Sequence, residues 1–115
     1  MRRRWEFYRT ASGGAPVRKE IKKLSLTVAE QAKVQAIMDR VAEGRTRPQD
    51  VRPLRDGVRE VRVRVANRRL RLLFADAGDG EVLLALHLFA KQQQIEARHI
   101  EVAVDRLREW RTREG

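Results

Sequence analysis

The 115-residue chain has no cysteine. That excludes a disulfide framework and thiolate metal sites, and it fits a reducing compartment such as the cytoplasm. Long apolar runs are missing as well. The longest, Val82 to Leu86, falls far short of the roughly 20 residues that cross a bilayer. The arginines after Met1 lead straight to Trp5 and Glu6, with no apolar segment of the kind a secretory signal needs. Metal-site patterns are equally scarce: there is no HExxH, no carboxylate pair on one strand and no Cys/His cluster. Asp76-Ala77-Gly78-Asp79-Gly80 reads as a turn with too few ligands for a calcium loop, and Gly13-Gly14 alone makes no phosphate loop. The apolar helix stripes are narrow and aliphatic, unlike those of membrane-surface helices. The expectation is one cytoplasmic domain, residues 1–115, without cofactor, metal or membrane partner. A chain of this size buries roughly 65% of its unfolded surface, enough for one modest core.

What the chain has is positive charge. Twenty-six Lys and Arg against 16 Asp and Glu leave +10, which calls for an acidic partner or a solvated basic surface. The distribution favours a partner. Arg52 to Arg71 holds eight arginines, no lysine, and only Asp56 and Glu60 as acids. Lysine would serve solubility equally well, whereas the planar guanidinium suits phosphates and bases.

The pattern along the chain predicts an α+β domain. Trp5 to Arg9 suits a short opening strand, and Thr10 to Gly14 a loop. Pro16 suits the first turn of a helix carrying Val17, Ile21 and Leu24. Thr27 and Glu30 have capping-box spacing ahead of the stripe Val34, Ile37, Met38 and Val41, and Gly44 supplies the stop. Two helices so closely linked predict a helical hairpin. Arg45 to Asp56, with Pro48 and Pro53, reads as a loop. From Gly57 the period becomes two. Val61, Val63 and Val65 alternate with Glu60, Arg62 and Arg64, and Leu70, Leu72 and Phe74 alternate with Arg69 and Arg71. Ala66-Asn67-Arg68 is the turn between these strands, and Val82 to Phe89 is a strand covered on both faces. Ile100, Ala103, Val104 and Leu107 mark a closing helix. The expected fold is therefore a small antiparallel sheet of three to four strands, a helical hairpin before it and a helix after it. Strand alternation places Arg62, Arg64, Arg69 and Arg71 on one sheet surface, facing away from the core. Such guanidiniums repel one another unless an anion sits among them.

Several segments resemble a known family in their order and residues. Arg52-Pro53-Leu54-Arg55-Asp56-Gly57-Val58-Arg59-Glu60-Val61-Arg62-Val63 is similar to the "PL…G…ELR" segment of phage-derived, HigB-like toxins in the RelE/ParE superfamily. Arg71-Leu72-Leu73-Phe74 is similar to the "R-V-L-Y" strand of those toxins, and Leu86 to Lys91 to their "H-x-F-x-K" strand end. The resemblance implies a RelE-like fold and a type II toxin partnered by a cognate antitoxin, acting on mRNA in the ribosomal A site without a metal. It matches Arg62, Arg64 and Arg71 to positions that hold the RNA backbone and reacting phosphate, and Lys91 to a basic position at the last strand end. The chain departs from the pattern at Gln92-Gln93-Gln94-Ile95, where relatives often carry a second lysine and Thr-Pro, and it has no evident C-terminal tyrosine.

The chemistry assigns further roles. Metal-free RNA cleavage must deprotonate the 2′-hydroxyl, stabilise charge on phosphorus and protonate the leaving 5′ oxygen. Arginine suits the second task and fails at the first, since its pKa of about 12.5 or more keeps it charged. Proton transfer therefore falls to His87, Lys91, or a group on the ribosome or RNA. His87 is a catalytic candidate or a core histidine, with strand register deciding whether it faces the arginines. His99 reads as structural or exposed. Arg55, Arg68 and Arg69 read as contacts to RNA outside the chemistry. The competing functions are a toxin that binds without cutting, such as a DNA gyrase poison, and a general basic nucleic-acid-binding protein.

Overall fold

The computed structural model describes residues 2–92 and 97–114. Its elements run β1 (Arg4–Phe7), α1 (Pro16–Lys23), α2 (Val28–Ala42), β2 (Val51–Pro53), β3 (Arg59–Val65), β4 (Arg68–Ala77), a 3-10 turn (Gly78–Gly80), β5 (Val82–Ala90) and α3 (Ala97–Glu114). The strands form one five-stranded sheet in the order β1-β5-β4-β3-β2. The class is the expected α+β, with two differences in the sheet. β1 lies parallel to β5, so the sheet is mixed. The stretch expected to be loop contributes β2, which pairs with β3 from Val51↔Val61 to Pro53↔Arg59. Three residues are too few to show alternation, and Pro53 is tolerated because β2 is an edge strand.

Local chemistry explains the helix ends. Pro16 opens α1. At α2 the capping box is complete: Glu30 N–H donates to Thr27 Oγ1 at 3.1 Å and Thr27 N–H to Glu30 Oε1 at 2.9 Å. Gly44 follows with φ of +69°, the left-handed conformation of a helix stop.

The sheet is covered on both faces. On one face α1 and α2 pack Val17, Val34, Met38 and Val41 onto Val61, Val63, Val65, Leu70, Leu72 and Phe74. These are the apolar parities of the two alternating strands, and each such side chain contributes about 1.5–3 kcal/mol when fully buried. Trp5 closes the edge, its Nε1–H donating to Met38 O at 2.7 Å and its ring lying edge-on to Phe74. On the other face α3 packs Ala103, Val104 and Leu107 onto Leu73, Ala75, Leu84 and Leu86, with Tyr8 beside them. Phe89, in the same cluster, is the cross-strand partner of Arg71, which in turn faces Arg62 on β3. The second face is thus apolar under α3 and cationic beyond it.

Candidate nucleic-acid interface

The strand register arranges the polar part of that second face in rows. Glu60, Leu73 and His87 form one, and Arg62, Arg71 and Phe89 the next. Arg64 and Arg69 form the third, with Lys91 N–H donating to Arg69 O at 2.7 Å at its end. A pocket of about 150 Å³ opens there, lined by Arg62, Val63, Arg64, Arg69, Arg71 and Lys91. Five of the eight residues singled out from the sequence therefore meet at one depression, and all five are cations.

The arginines are not equivalent. Arg62, Arg64 and Arg69 are exposed, but Arg71 is 5% exposed, contrary to the expectation that it faces away from the core. Its Nε lies 3.6 Å from Oε1 of Glu60, itself 1% exposed. Arg52 and Arg62 approach the same oxygen at 3.5 and 3.9 Å. Neither carboxylate oxygen of Glu60 has a partner at hydrogen-bond geometry, so the cluster is held by charge rather than by directed hydrogen bonds. Part of the anion demanded by facing arginines is internal. Alternation gives the signal for this, since Glu60 shares the parity of Arg62 and Arg64.

His87 lies on the arginine face but not in the pocket. Leu73 pairs with His87 in the same register that pairs Arg71 with Phe89, and the register shifts only beyond it, where Phe74 pairs with Ala85. β1 ends at Phe7, so the β5 edge beyond Ala85 lacks a strand partner. Side chains take its place: Leu88 N–H donates to Glu20 Oε1 at 3.0 Å, and Arg106 Nη1 donates to Leu86 O at 2.7 Å. Arg106 also donates to Glu20 Oε2 at 2.9 Å, tying α3 to α1. His87, 7% exposed, lies between, with Nδ1 2.8 Å from Glu20 Oε2 and Nε2 2.7 Å from His99 Nδ1. Burial works to raise the Glu20 pKa. The hydrogen bonds from His87 and Leu88, together with the Arg106 charge, outweigh it and hold the carboxyl below its ordinary value. Sequence reasoning passed over Glu20 and Arg106, because nothing in an isolated helix shows that its acid will face a strand edge.

Two further residues lie elsewhere. Arg68 turns toward the helices, donating to Leu24 O at 2.6 Å and Glu30 Oε1 at 3.1 Å. Its guanidinium fastens the β3–β4 turn to the helices, and Arg68 also lines a neighbouring hollow with Arg69 and Lys91. Arg55 pairs with Asp56 at 3.0 Å in the turn before β3 and does not line the pocket. Gln93, Gln94 and Ile95 of the divergent segment lie outside the described residues.

Most of the chain has relatives. Residues 19–108 match the family described as phage derived protein Gp49-like (DUF891). The protein named "Probable endoribonuclease HigB1", from two strains of Mycobacterium tuberculosis, is 33% identical over 110 residues, covering 93% of this chain and 84% of the relative. In fold, the chain is similar to a double arginine-to-alanine mutant of the E. coli toxin RelE in the free state. The TM-score is 0.65 at 16% identity, over 93% of this chain and 99% of the other.

Proposed function

Because the chain belongs to the phage-derived Gp49-like family, we propose that it is the toxin of a toxin–antitoxin pair. In this reading it is an endoribonuclease that cuts mRNA on the ribosome without a metal and is neutralised by a separately encoded antitoxin. The supporting observation is the pocket that gathers Arg62, Arg64, Arg69, Arg71 and Lys91 on the sheet surface beyond α3. The name of the mycobacterial relative, an endoribonuclease, points the same way.

The reaction needs charge stabilisation first. As the 2′-oxygen attacks phosphorus, negative charge grows on the non-bridging oxygens. Fixed guanidiniums stabilise it without reorganising. Arg71, pinned by Glu60, is the preorganised member, and the exposed Arg62, Arg64 and Arg69 hold the RNA backbone.

Toeprinting a defined mRNA on translating ribosomes tests the reading. Wild type is expected to create new 3′ ends inside A-site codons, and Arg64→Ala to reduce them at least about tenfold. Arg64 makes the cleaner probe, since it is exposed while Arg71 also supports a buried charge. Growth arrest with intact mRNA would instead favour a gyrase poison or another toxin that binds without cutting.

A further inference from the structure

Positive charge without an internal counter-charge is not confined to the pocket. α1 carries Arg18, Lys19, Lys22 and Lys23 on its exposed side, while Val17 is buried and Ile21 packs on the core. Helical spacing sets Arg18 beside Lys22 and Lys19 beside Lys23, and like charges four residues apart destabilise a helix. The helix dipole accounts for only half of the row. Lys22 and Lys23 lie in the last turn, where a cation is favourable. Arg18 and Lys19 lie among the first four residues, where it is not. α2 shows the ordinary order, with Glu30 in its first turn and Arg40 in its last. Glu20, the one acid on α1, turns away to Leu88, His87 and Arg106. No carboxylate among the described residues forms an ion pair with any of the four cations. Arg18 rests its guanidinium 5.8 Å from the centre of the Phe7 ring.

The row leads to the cationic pocket. Lys23 precedes Leu24, whose carbonyl accepts from Arg68 Nη1 of the β3–β4 turn at 2.6 Å. Arg68 also lines a hollow of about 510 Å³ with Asn67, Arg69, Lys91 and Gln92. Arg69 and Lys91 in turn belong to the pocket. One basic surface therefore runs from the helical face of the sheet, over the β3–β4 turn, to the opposite face. Its two ends differ in chemistry. The pocket end is a depression built mainly of guanidiniums, which fork onto phosphate. The α1 end is a convex row dominated by lysines, compact charges that hold phosphates without reading bases. The row has no aromatic side chain on which the bases of a single strand would stack. Its match is the outer backbone of folded RNA, which is recognised by shape and phosphate.

We infer, on the ribosome-directed reading above, that α1 docks on the phosphate backbone of folded ribosomal RNA while the pocket takes the mRNA strand. An acidic protein would need no continuity between the row and the pocket, whereas a ribosome presents both RNAs side by side.

The test is the salt dependence of binding to two probes: ribosomes without mRNA, and a codon-length single-stranded RNA. Wild type is compared with Lys19→Gln/Lys22→Gln/Lys23→Gln and with Lys19→Arg/Lys22→Arg/Lys23→Arg, each checked for folding by circular dichroism. The glutamine variant is expected to bind ribosomes at least about tenfold more weakly, with the slope of log affinity against log salt reduced by about three. The arginine variant is expected to keep wild-type affinity, because phosphate responds to the charge. Toward the short strand, the glutamine variant should stay within about threefold of wild type, since a strand of that length reaches only the pocket. Equal weakening toward both probes would make the row a contact for single strands and overturn the assignment to folded RNA. Unchanged ribosome binding by the glutamine variant would leave the row to solvent or to an acidic protein, which also overturns it. If wild type docks through α1 yet leaves mRNA intact, the nuclease reading fails and the docking surface stands.

Discussion

The cationic face contains two arginine pairs of the same kind. Arg62 stands opposite Arg71, and Arg64 stands opposite Arg69, on the same two strands and the same side. Yet they are built on opposite electrostatic terms. The first pair shares the buried Glu60, which Arg52 also approaches. The second pair lies toward the hairpin turn, and no carboxylate among the described residues pairs with Arg64 or Arg69. Facing like charges are unfavourable unless a counter-charge sits among them. The inner pair has its anion within the chain, and the outer pair is left positive where the pocket opens. A site can therefore rest on a compensated foundation and keep its attraction for phosphate at the exposed end. The foundation belongs to stability and the exposed end to recognition.

Substitutions can break that contrast. The largest effect is expected from Arg71→Ala, which removes the buried guanidinium beside Glu60 and leaves that carboxylate, 1% exposed, to the more exposed Arg52 and Arg62. Removing one partner of a buried charge pair should cost about 3 kcal/mol, read as a lowered urea midpoint. A midpoint equal to wild type would place both pairs on the same footing. Glu60→Gln should follow, at about 2 kcal/mol, since it leaves Arg62 and Arg71 facing each other without an anion. Added sulfate should restore more of its melting temperature than sulfate adds to wild type. If sulfate acts equally on the two proteins, Glu60 is not the internal counter-charge.

Glu20→Gln gives a smaller, pH-dependent effect away from the pocket. The folded pKa of Glu20 lies below its unfolded value, so its contribution is complete above the unfolded value and is lost as pH falls through the folded one. Melting temperatures of wild type and variant should differ most near neutrality and converge on acidification below the ordinary carboxylate range. A constant gap across that range would contradict the assignment. Arg64→Ala should scarcely touch stability, moving the melting temperature by no more than about 2 °C. It should nonetheless lower the salt dependence of RNA binding by about one unit of slope. This last variant sharpens the comparison, because it separates recognition from folding.

Much of this architecture is legible in particular residues. Thr27 and Glu30 announce the start of α2, and the valines of β3 with Leu70, Leu72 and Phe74 of β4 announce a buried face. The same alternation carries Arg62, Arg64, Arg69 and Arg71 to the opposite face, and so most of the pocket. Other features leave no local trace. β2 is too short to alternate, and the parallel pairing of β1 with β5 joins residues 78 positions apart, as in Arg4↔Val82. Arg71 is buried beside Glu60 of the neighbouring strand, which no local pattern shows. Arg68 has the same local setting as Arg69, yet it turns to Leu24 and Glu30 on the helices.

The amino-acid sequence by itself determined the periodicities and the net charge, because each depends only on neighbouring residues and on the two- and 3.6-residue repeats of backbone geometry. From those follow the two alternating strands, the capped helices and a face crowded with guanidinium. Only the tertiary structure decided which arginines stay in solvent, which one is neutralised from within, and where His87 points. Those outcomes depend on distant elements meeting. Glu20 reaches His87, and Arg106 the neighbouring Leu86 carbonyl, where β1 stops short and leaves the β5 edge for side chains to satisfy.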